Sequence, residues 1–153
     1  MDAEVLQHSL FAFGPSQWRQ VRDGHPVGKQ LYERHYSARA NRDSKLFVGP
    51  GGKLVLLTED CQALFVWRQF KSDDGQQGVN CAVFRNEGPQ LSSELLRQAE
   101  VIAWARWPGQ RLYTYVNPRK VRSKNPGCCF KKAGWRRCGV SAKGLLIFEK
   151  HAH

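Results

Sequence analysis

The sequence predicts an α+β domain with a central, mixed and mostly antiparallel β-sheet flanked by helices. The chain has 153 residues, the usual length of one domain. Its apolar fraction of 41% and its five tryptophans are typical of a protein with a packed core. The clearest segments follow the order β-β-β-α-β-α-β, in which a run of strands precedes the helices, and this order favours the α+β class.

No linker or internal repeat divides the chain, so we expect one domain over residues 1–153. Residues 1–30 contain Gly-Pro and Gly-His-Pro turn signals, and we interpret them as an irregular N-terminal arm. Segment 27–37 fits either a short helix or an extended arm. The core is predicted over residues 46–150.

The first strands are predicted from β-branched and aromatic runs. KLVLLT (53–58) and ALFVWRQF (63–70) are separated by the turn residues Glu59-Asp60, which indicates an antiparallel hairpin. A loop precedes the third strand, VNCAVFRN (79–86).

A long helix is predicted over residues 91–107, because apolar residues recur there at helical spacing. Ser92 or Ser93 is expected to be its N-cap, and Pro108-Gly109 to end it. The remaining elements are a strand, a short helix and a strand, at 111–117, 126–133 and 144–150.

The charge favours a polyanionic partner. Twenty-four Lys and Arg against thirteen Asp and Glu leave a net charge of +11. The cations cluster at 34–45 and 119–137 among aromatic residues, a pattern that suits a nucleic-acid strand with exposed bases. The alternative is a basic surface that only maintains solubility.

Metal and membrane functions are not indicated. The five cysteines lack the CxxC and HxxxH spacings of zinc sites, so we expect thiols and no metal. No apolar run approaches the roughly eighteen residues of a membrane helix. The first residues lack the basic region and cleavage site of a signal peptide, so we expect a cytoplasmic protein.

The junction between the third strand and the long helix is a candidate anion site. In VFRNEGPQLSSELL (83–96) a strand ends, a Gly-containing loop turns, and a helix begins. Backbone N–H groups at a helix N-terminus bind anions, and Arg85 would add a guanidinium. The alternative is an ordinary capped helix.

This junction resembles that of the GNAT superfamily of N-acetyltransferases, in which an R/Q-x-x-G-x-G/A loop holds the pyrophosphate of acyl-CoA. Arg85-Asn86-Glu87-Gly88 matches the first half of the motif, and residues 89–93 depart from the second. Phe130-Lys131-Lys132-Ala133-Gly134-Trp135 lies over the closing Y-x-x-x-G-F pattern, with Phe130 in place of the tyrosine that often protonates the leaving thiolate. The resemblance implies acetyl-CoA or a related acyl-CoA as cofactor, bound by Arg85, Asn86, Gly88, Ser92, Ser93, Asn125 and Phe130.

The segment HYS (35–37), upstream of this core in a small basic protein, resembles phage-encoded Mom-type transferases that modify adenine in DNA. The resemblance implies that His35, Tyr36 and Ser37 lie on the acceptor side. Arg39 and Arg42 would then contact phosphates.

For transfer to an amine, Glu87 is the first candidate base and His35 the second. Asn80 is a candidate for polarising the thioester carbonyl. In place of the missing tyrosine, Cys128, Cys129, Tyr113 or Tyr115 are candidate acids. The alternative is that the thiolate leaves unaided, since a coenzyme A thiol is acidic enough to do so. The predicted catalytic set is Glu87, His35, Tyr36, Asn80 and Tyr115.

A duplex substrate requires a base to leave the stack and lie against an aromatic ring, for which Trp67, Tyr113 and Tyr115 are candidates. The alternative for each ring is a place in the core. The predicted nucleic-acid-binding set is Ser37, Arg39, Arg42, Trp67, Tyr113, Arg119, Lys120, Arg122 and Lys124.

Three functions follow from the sequence. The first is a GNAT-like transferase that modifies DNA bases with an acyl-CoA-like donor. The second is an N-acetyltransferase that acts on a protein or a small amine. The third is a non-catalytic nucleic-acid-binding protein on a GNAT-like fold.

Overall fold

The computed structural model describes residues 16–35, 46–49, 51–120 and 127–152, which form one seven-stranded sheet and three helices. The strands are β1 (Trp18–Val21), β2 (Gly52–Thr58), β3 (Ala63–Gln69), β4 (Val79–Asn86), β5 (Leu112–Val116), β6 (Arg136–Val140) and β7 (Leu146–Lys150). The helices are α1 (Pro26–Glu33), α2 (Ser92–Arg106) and α3 (Cys128–Lys132).

The sheet has the order β1-β2-β3-β4-β5-β7-β6. All neighbouring strands are antiparallel except β4 and β5, which are parallel. A parallel pair needs a crossover connection, and α2 supplies it. The prediction of an α+β domain with a mixed, mostly antiparallel sheet is therefore confirmed.

The parallel pair is short. β4 and β5 pair from Val79↔Leu112 to Cys81↔Thr114, whereas β4 continues to Asn86. On its other side β4 pairs with β3, and the register there shifts so that Ala82 has no partner. Such a bulge bends its strand. Because Ala82 directly follows the last residue that pairs with β5, the bulge lies where the two strands separate.

Helices cover both faces of the sheet. On one face, α2 and α3 pack over the larger core, and two buried tryptophans bond to α2: Trp67 Nε1 donates to Ala99 O at 2.9 Å, and Trp18 Nε1 to Leu95 O at 2.8 Å. On the other face, Leu31 of α1 packs with apolar residues of β2 and β3. Within the described residues, no helix is long and apolar enough to cross a membrane.

A buried carboxylate joins the crossover helix to the C-terminal elements. Glu100 of α2 is 3% exposed, and it accepts hydrogen bonds from Lys150 Nζ at 2.6 Å and Trp135 Nε1 at 2.9 Å. Lys150 Nζ also donates to Ala133 O at 2.8 Å, directly after α3. The side chain of Lys150 therefore links β7, to which it belongs, with α2 and with the end of α3.

The strands β2 to β5 and β7 agree with the predicted segments to within two residues. The interpretation of residues 1–30 as an irregular arm is wrong for β1, which lies within it. Of the two alternatives for segment 27–37, the short helix is observed, as α1, up to Glu33. β1 forms because Trp18 is buried and its backbone pairs with β2, although WRQV has no strand-like alternation. β6 was also missed, because RRCGV lacks a buried face and depends on pairing with β7.

The first prediction concerns the Glu100 cluster. Lys150→Met should destabilise the fold by about 3–5 kcal/mol, because it leaves a buried carboxylate without its cation. Urea denaturation followed by tryptophan fluorescence measures the effect. Arg97→Ala is the matched control, since its ion pair with Glu94 is largely exposed and worth at most about 1 kcal/mol. Equal losses in the two variants would contradict the role given to Glu100.

Candidate functional site

A cavity of about 550 Å³ opens where β4 and β5 separate. Its walls come from the two strands, from His35 two residues after the end of α1, and from α3. Its lining residues are His35, Asn80, Cys81, Ala82, Val83, Phe84, Thr114, Tyr115, Val116, Asn117, Lys120, Gly127, Cys128, Cys129, Phe130 and Leu145. The predicted site residues His35, Asn80, Tyr115, Phe130 and Lys120 are therefore brought together.

Asn80 presents an unsatisfied acceptor in this cavity. Its side chain is 7% exposed, and its Oδ1 has no hydrogen-bond partner among the described residues. A buried polar atom without a partner costs roughly 1–3 kcal/mol. A ligand that offers an N–H or O–H group to Oδ1 would recover that free energy, so Asn80 is well suited to bind a polar group.

His35 is held in its neutral form. Burial, together with the positive charge of Arg85, lowers the pKa of His35 to about 4. A hydrogen bond with the backbone of Phe84 opposes this shift only in part. At neutral pH the imidazole is therefore uncharged, and it is a weak base. This suits it to orient or polarise a substrate by hydrogen bonding better than to remove a proton.

Tyr115 lines the cavity, but its hydroxyl is engaged elsewhere. The hydroxyl bonds to Asp74 and lies 3.2 Å from Ser72 Oγ, both in the loop between β3 and β4. Burial and the hydrogen bond to Asp74 raise the pKa of Tyr115. The phenol therefore stays protonated, with its proton directed at Asp74.

Two thiols of the cavity wall, Cys81 and Cys129, are also protonated. Burial raises the pKa of Cys129 to about 11, and it raises the pKa of the fully buried Cys81 further. Such thiols are poor nucleophiles at neutral pH. In the part of the chain that the structure describes, no group of three or more His, Cys, Asp or Glu is placed to hold a metal ion.

Glu87 does not lie in the cavity wall, and it is committed to ion pairs. Arg34 donates to both of its carboxylate oxygens, at 2.7 and 3.0 Å, and Arg85 Nε donates at 2.9 Å. These cations hold the pKa of Glu87 below its usual value, the hydrogen bond from Arg34 being the largest cause. The geometry therefore argues against Glu87 as the base.

The loop after β4 is closed by its own hydrogen bonds. The amide of Glu87 donates to Gln62 O at 2.8 Å, and that of Gly88 donates to Asn86 Oδ1 at 3.0 Å. Asn86 Nδ2 in turn donates to Gln90 O and to Ser92 Oγ. Two amides expected to face an anion are thus occupied, and the loop is not preformed as a phosphate cradle.

The predicted N-cap is also wrong. The cap residue of α2 is Leu91, and no side chain caps the helix, whereas Ser93 is buried. Ser92 instead accepts the hydrogen bond from Asn86. Ser92 therefore fixes the loop, and the buried Ser93 does not offer its hydroxyl to a ligand.

Trp67 and Tyr113 are fully buried, so neither ring offers a face to a base, and the core alternative is the one observed. Arg119 and Lys120 follow β5, and Lys120 reaches the cavity wall. Seven predicted site residues lie outside the described residues: Tyr36, Ser37, Arg39, Arg42, Arg122, Lys124 and Asn125.

Among the wall residues that sequence reasoning missed are Thr114, Asn117 and Gly127. Gly127 has a φ of 80°, and a Cβ built on it would lie 2.6 Å from the ring of Phe148. Only glycine fits there. The Asn-Pro-Gly run was a usable signal for Gly127, whereas nothing in the sequence singles out Thr114.

A scan against protein-family models and searches of curated proteins and of solved structures find no match to this chain. The cavity therefore has to be interpreted from its own geometry.

The second prediction follows from the lowered pKa of His35. Between about pH 6.5 and pH 4 the unfolded chain binds a proton at His35 that the folded protein excludes, so folding stability falls as the pH drops through this window. His35→Gln should remove about 2 kcal/mol of the stability lost between pH 7 and pH 5. Urea titrations of both proteins at both pH values measure the difference, in which the contributions of carboxylates cancel. An identical loss in both proteins would show that His35 titrates normally.

Proposed function

We propose that this protein is a GNAT-like transferase that binds acetyl-CoA or a related acyl-CoA between β4 and β5 and modifies the amino group of adenine in DNA. The observation that supports this proposal best is the cavity at the separation of two parallel strands. It joins an unsatisfied Asn80 to a neutral His35 in a strongly basic protein.

The arrangement of the strands favours an extended ligand with amide groups. Beyond Cys81↔Thr114 the facing edges of β4 and β5 no longer bond to each other. Separated strand edges present N–H and C=O groups that can pair with a peptide-like chain, as when an added strand joins a sheet. The pantetheine arm of coenzyme A has such amides. The order of elements after β4 is also similar to that of the superfamily: a long helix, a strand, a short helix and further strands.

The phosphate end of the donor needs other partners than the superfamily loop. Arg85 and the loop amides are engaged within the chain, and Arg85 does not line the cavity. Lys120 does line it and supplies a positive charge there. We therefore assign the donor phosphates to the side of the cavity where β5 ends.

The chemistry depends on activating the electrophile. The amino nitrogen attacks the thioester carbonyl, the C–N bond forms as the C–S bond breaks, and the proton lost by nitrogen neutralises the departing thiolate. Because the amino group of adenine is hardly basic, polarising and positioning the thioester matter more than removing the proton. The Nδ2 amide of Asn80 and the neutral imidazole of His35 are the candidate donors to the carbonyl oxygen, and Asn80 Oδ1 can position the amino group by accepting its hydrogen bond.

Two observations favour the non-catalytic alternative, in which the protein only binds nucleic acid. The loop after β4 is closed by its own hydrogen bonds, and Phe130 has no hydroxyl with which to protonate a thiolate. The other alternative, N-acetylation of a protein or small amine, requires only the few cations that bind coenzyme A, and a charge of +11 exceeds that need.

The third prediction tests the proposal through Asn80. Nucleosides from the DNA of cells that express the protein should contain a modified adenine detectable by mass spectrometry. Asn80→Leu should lower its amount tenfold or more. The same substitution should leave the free energy of unfolding unchanged or higher, since Oδ1 has no partner in the fold.

Gln20→Leu, an amide-to-leucine change at an exposed position of β1, is the matched control and should keep the modification. Unmodified DNA together with an acetylated protein target would select the second function. A protein whose thermal unfolding is unmoved by acetyl-CoA, coenzyme A and S-adenosylmethionine, and whose host DNA is unmodified, would select the non-catalytic one.

A further inference from the structure

We propose that the outer edge of the sheet binds the phosphate backbone of double-stranded DNA. This edge, called the β6 edge below, consists of α3, β6 and the turn from β6 to β7. The inference rests on the proposed function only in taking DNA as the partner. It concerns a surface that the predicted nucleic-acid-binding set does not include.

The β6 edge has an excess of positive charge that the fold does not use. Residues 127–152 contain six Lys and Arg and one carboxylate, Glu149. Two of the six cations are engaged internally, since Lys150 pairs with Glu100 and Arg136 with Glu149. Three others, Lys132, Arg137 and Lys143, are exposed and form no ion pair with any carboxylate of the described residues.

The same edge contributes little to the core. Four of the five residues of β6 are exposed, and the strand is bonded on one side only, to β7. A strand in a sandwich or half-covered sheet normally buries every second residue. The sequence of β6 is therefore not explained by packing, and the exposed arginines need another reason.

Protection of a sheet edge explains part of this pattern. Charged side chains on an edge strand prevent association with another edge, and β1, at the opposite edge, has Arg19 for the same purpose. That reason does not extend to Lys132, which is in a helix, or to Lys143, which is in a turn. Because the cations come from three successive elements, they form a basic surface that extends beyond the edge strand.

The dimensions fit a DNA backbone. β6 extends about 13 Å from Arg136 to Val140 at the usual rise of a strand. That length corresponds to about four phosphates of one DNA strand, measured along the helix axis. Lys132 precedes this stretch in the chain and Lys143 follows it, so the cations continue beyond both ends of β6.

The position of the edge relative to the cavity also favours DNA. Cys128, Cys129 and Phe130 of α3 line the cavity, as does Leu145 at the end of the turn. The elements that bear the cations are thus the elements that form one wall of the site. A duplex held along the β6 edge would have its bases next to that wall.

The fourth prediction compares two triple variants that lower the net charge equally. Lys132→Gln, Arg137→Gln and Lys143→Gln together remove the exposed cations of the β6 edge. Arg19→Gln, Arg22→Gln and Lys71→Gln together remove three exposed cations elsewhere, two of them at or beside β1. Binding of the full chain to a 20-base-pair duplex is measured by fluorescence anisotropy from 50 to 300 mM NaCl.

The slope of log K against log salt should fall in magnitude by about 2 to 3 in the β6-edge variant, since each phosphate contact contributes about 0.9. The slope of the β1-side variant should match that of the unmodified protein. Equal slopes in all three proteins, or equal losses in both variants, would overturn the proposal. The proposal would also be overturned if polyglutamate bound as tightly as DNA and if its binding were weakened by the β6-edge substitutions in the same way.

Failure of this inference and failure of the proposed function are distinguishable. If host DNA is unmodified while the β6-edge variant still loses its salt dependence, the surface is correct and the transferase is not. If adenine is modified and the β6-edge variant binds DNA normally, the transferase is correct and the surface is not.

Discussion

The short pairing of β4 with β5 determines the rest of the molecule. A parallel pair requires a crossover, so α2 must lie across the face of the sheet, and the buried tryptophans Trp18 and Trp67 bond to its carbonyls. The bulge at Ala82 then turns β4 away from β5 after three residue pairs. The sheet therefore has an opening between two of its strands. α3 covers that opening on the face of the sheet where α2 also lies.

The Lys and Arg residues of this protein and the uncharged polar groups of its cavity lie in different places. The chain has a net charge of +11, yet Lys120 is the one Lys or Arg among the residues that line the cavity. Burial keeps His35 neutral and the thiols of Cys81 and Cys129 protonated. The positive charge therefore lies mostly at the surface, whereas the cavity offers uncharged hydrogen-bonding groups. In a site of low polarity such groups act more strongly on a polarised carbonyl than they do in water.

The sequence predicts most of this fold because its central strands have unambiguous composition. β2, β3 and β4 are rich in Val, Leu and Phe, and α2 has a helical repeat of apolar residues. β1 and β6 escaped prediction for a different reason: each is an edge strand whose existence depends on one neighbour, and neither has an apolar alternation of its own.

The sequence predicts a site residue when its type alone suggests the role. It does not show whether the hydrogen-bonding groups of that residue are already engaged by partners elsewhere in the chain. Asn80 and His35 were identified from the sequence and do meet at the cavity. The loop Arg85-Asn86-Glu87-Gly88 has the residues of an anion site, but Gln62 and Arg34 occupy its amide and its carboxylate. Those partners lie 25 and 53 positions away from Glu87 in the chain, so no local pattern reveals them.

The Glu100 cluster has a consequence for how a ligand can enter. It joins the end of α3 and the last strand to α2 through an ion pair between the buried Glu100 and Lys150, whose side chain is 18% exposed, so this wall of the cavity is held firmly. The opposite wall ends at His35, and it is fastened by Arg34 and Arg85 to Glu87 through ion pairs that water reaches. Exposed pairs of this kind are worth about 1 kcal/mol or less. The two sides of the cavity are thus held with different strength, and the side of His35 is the one that can move when a ligand enters.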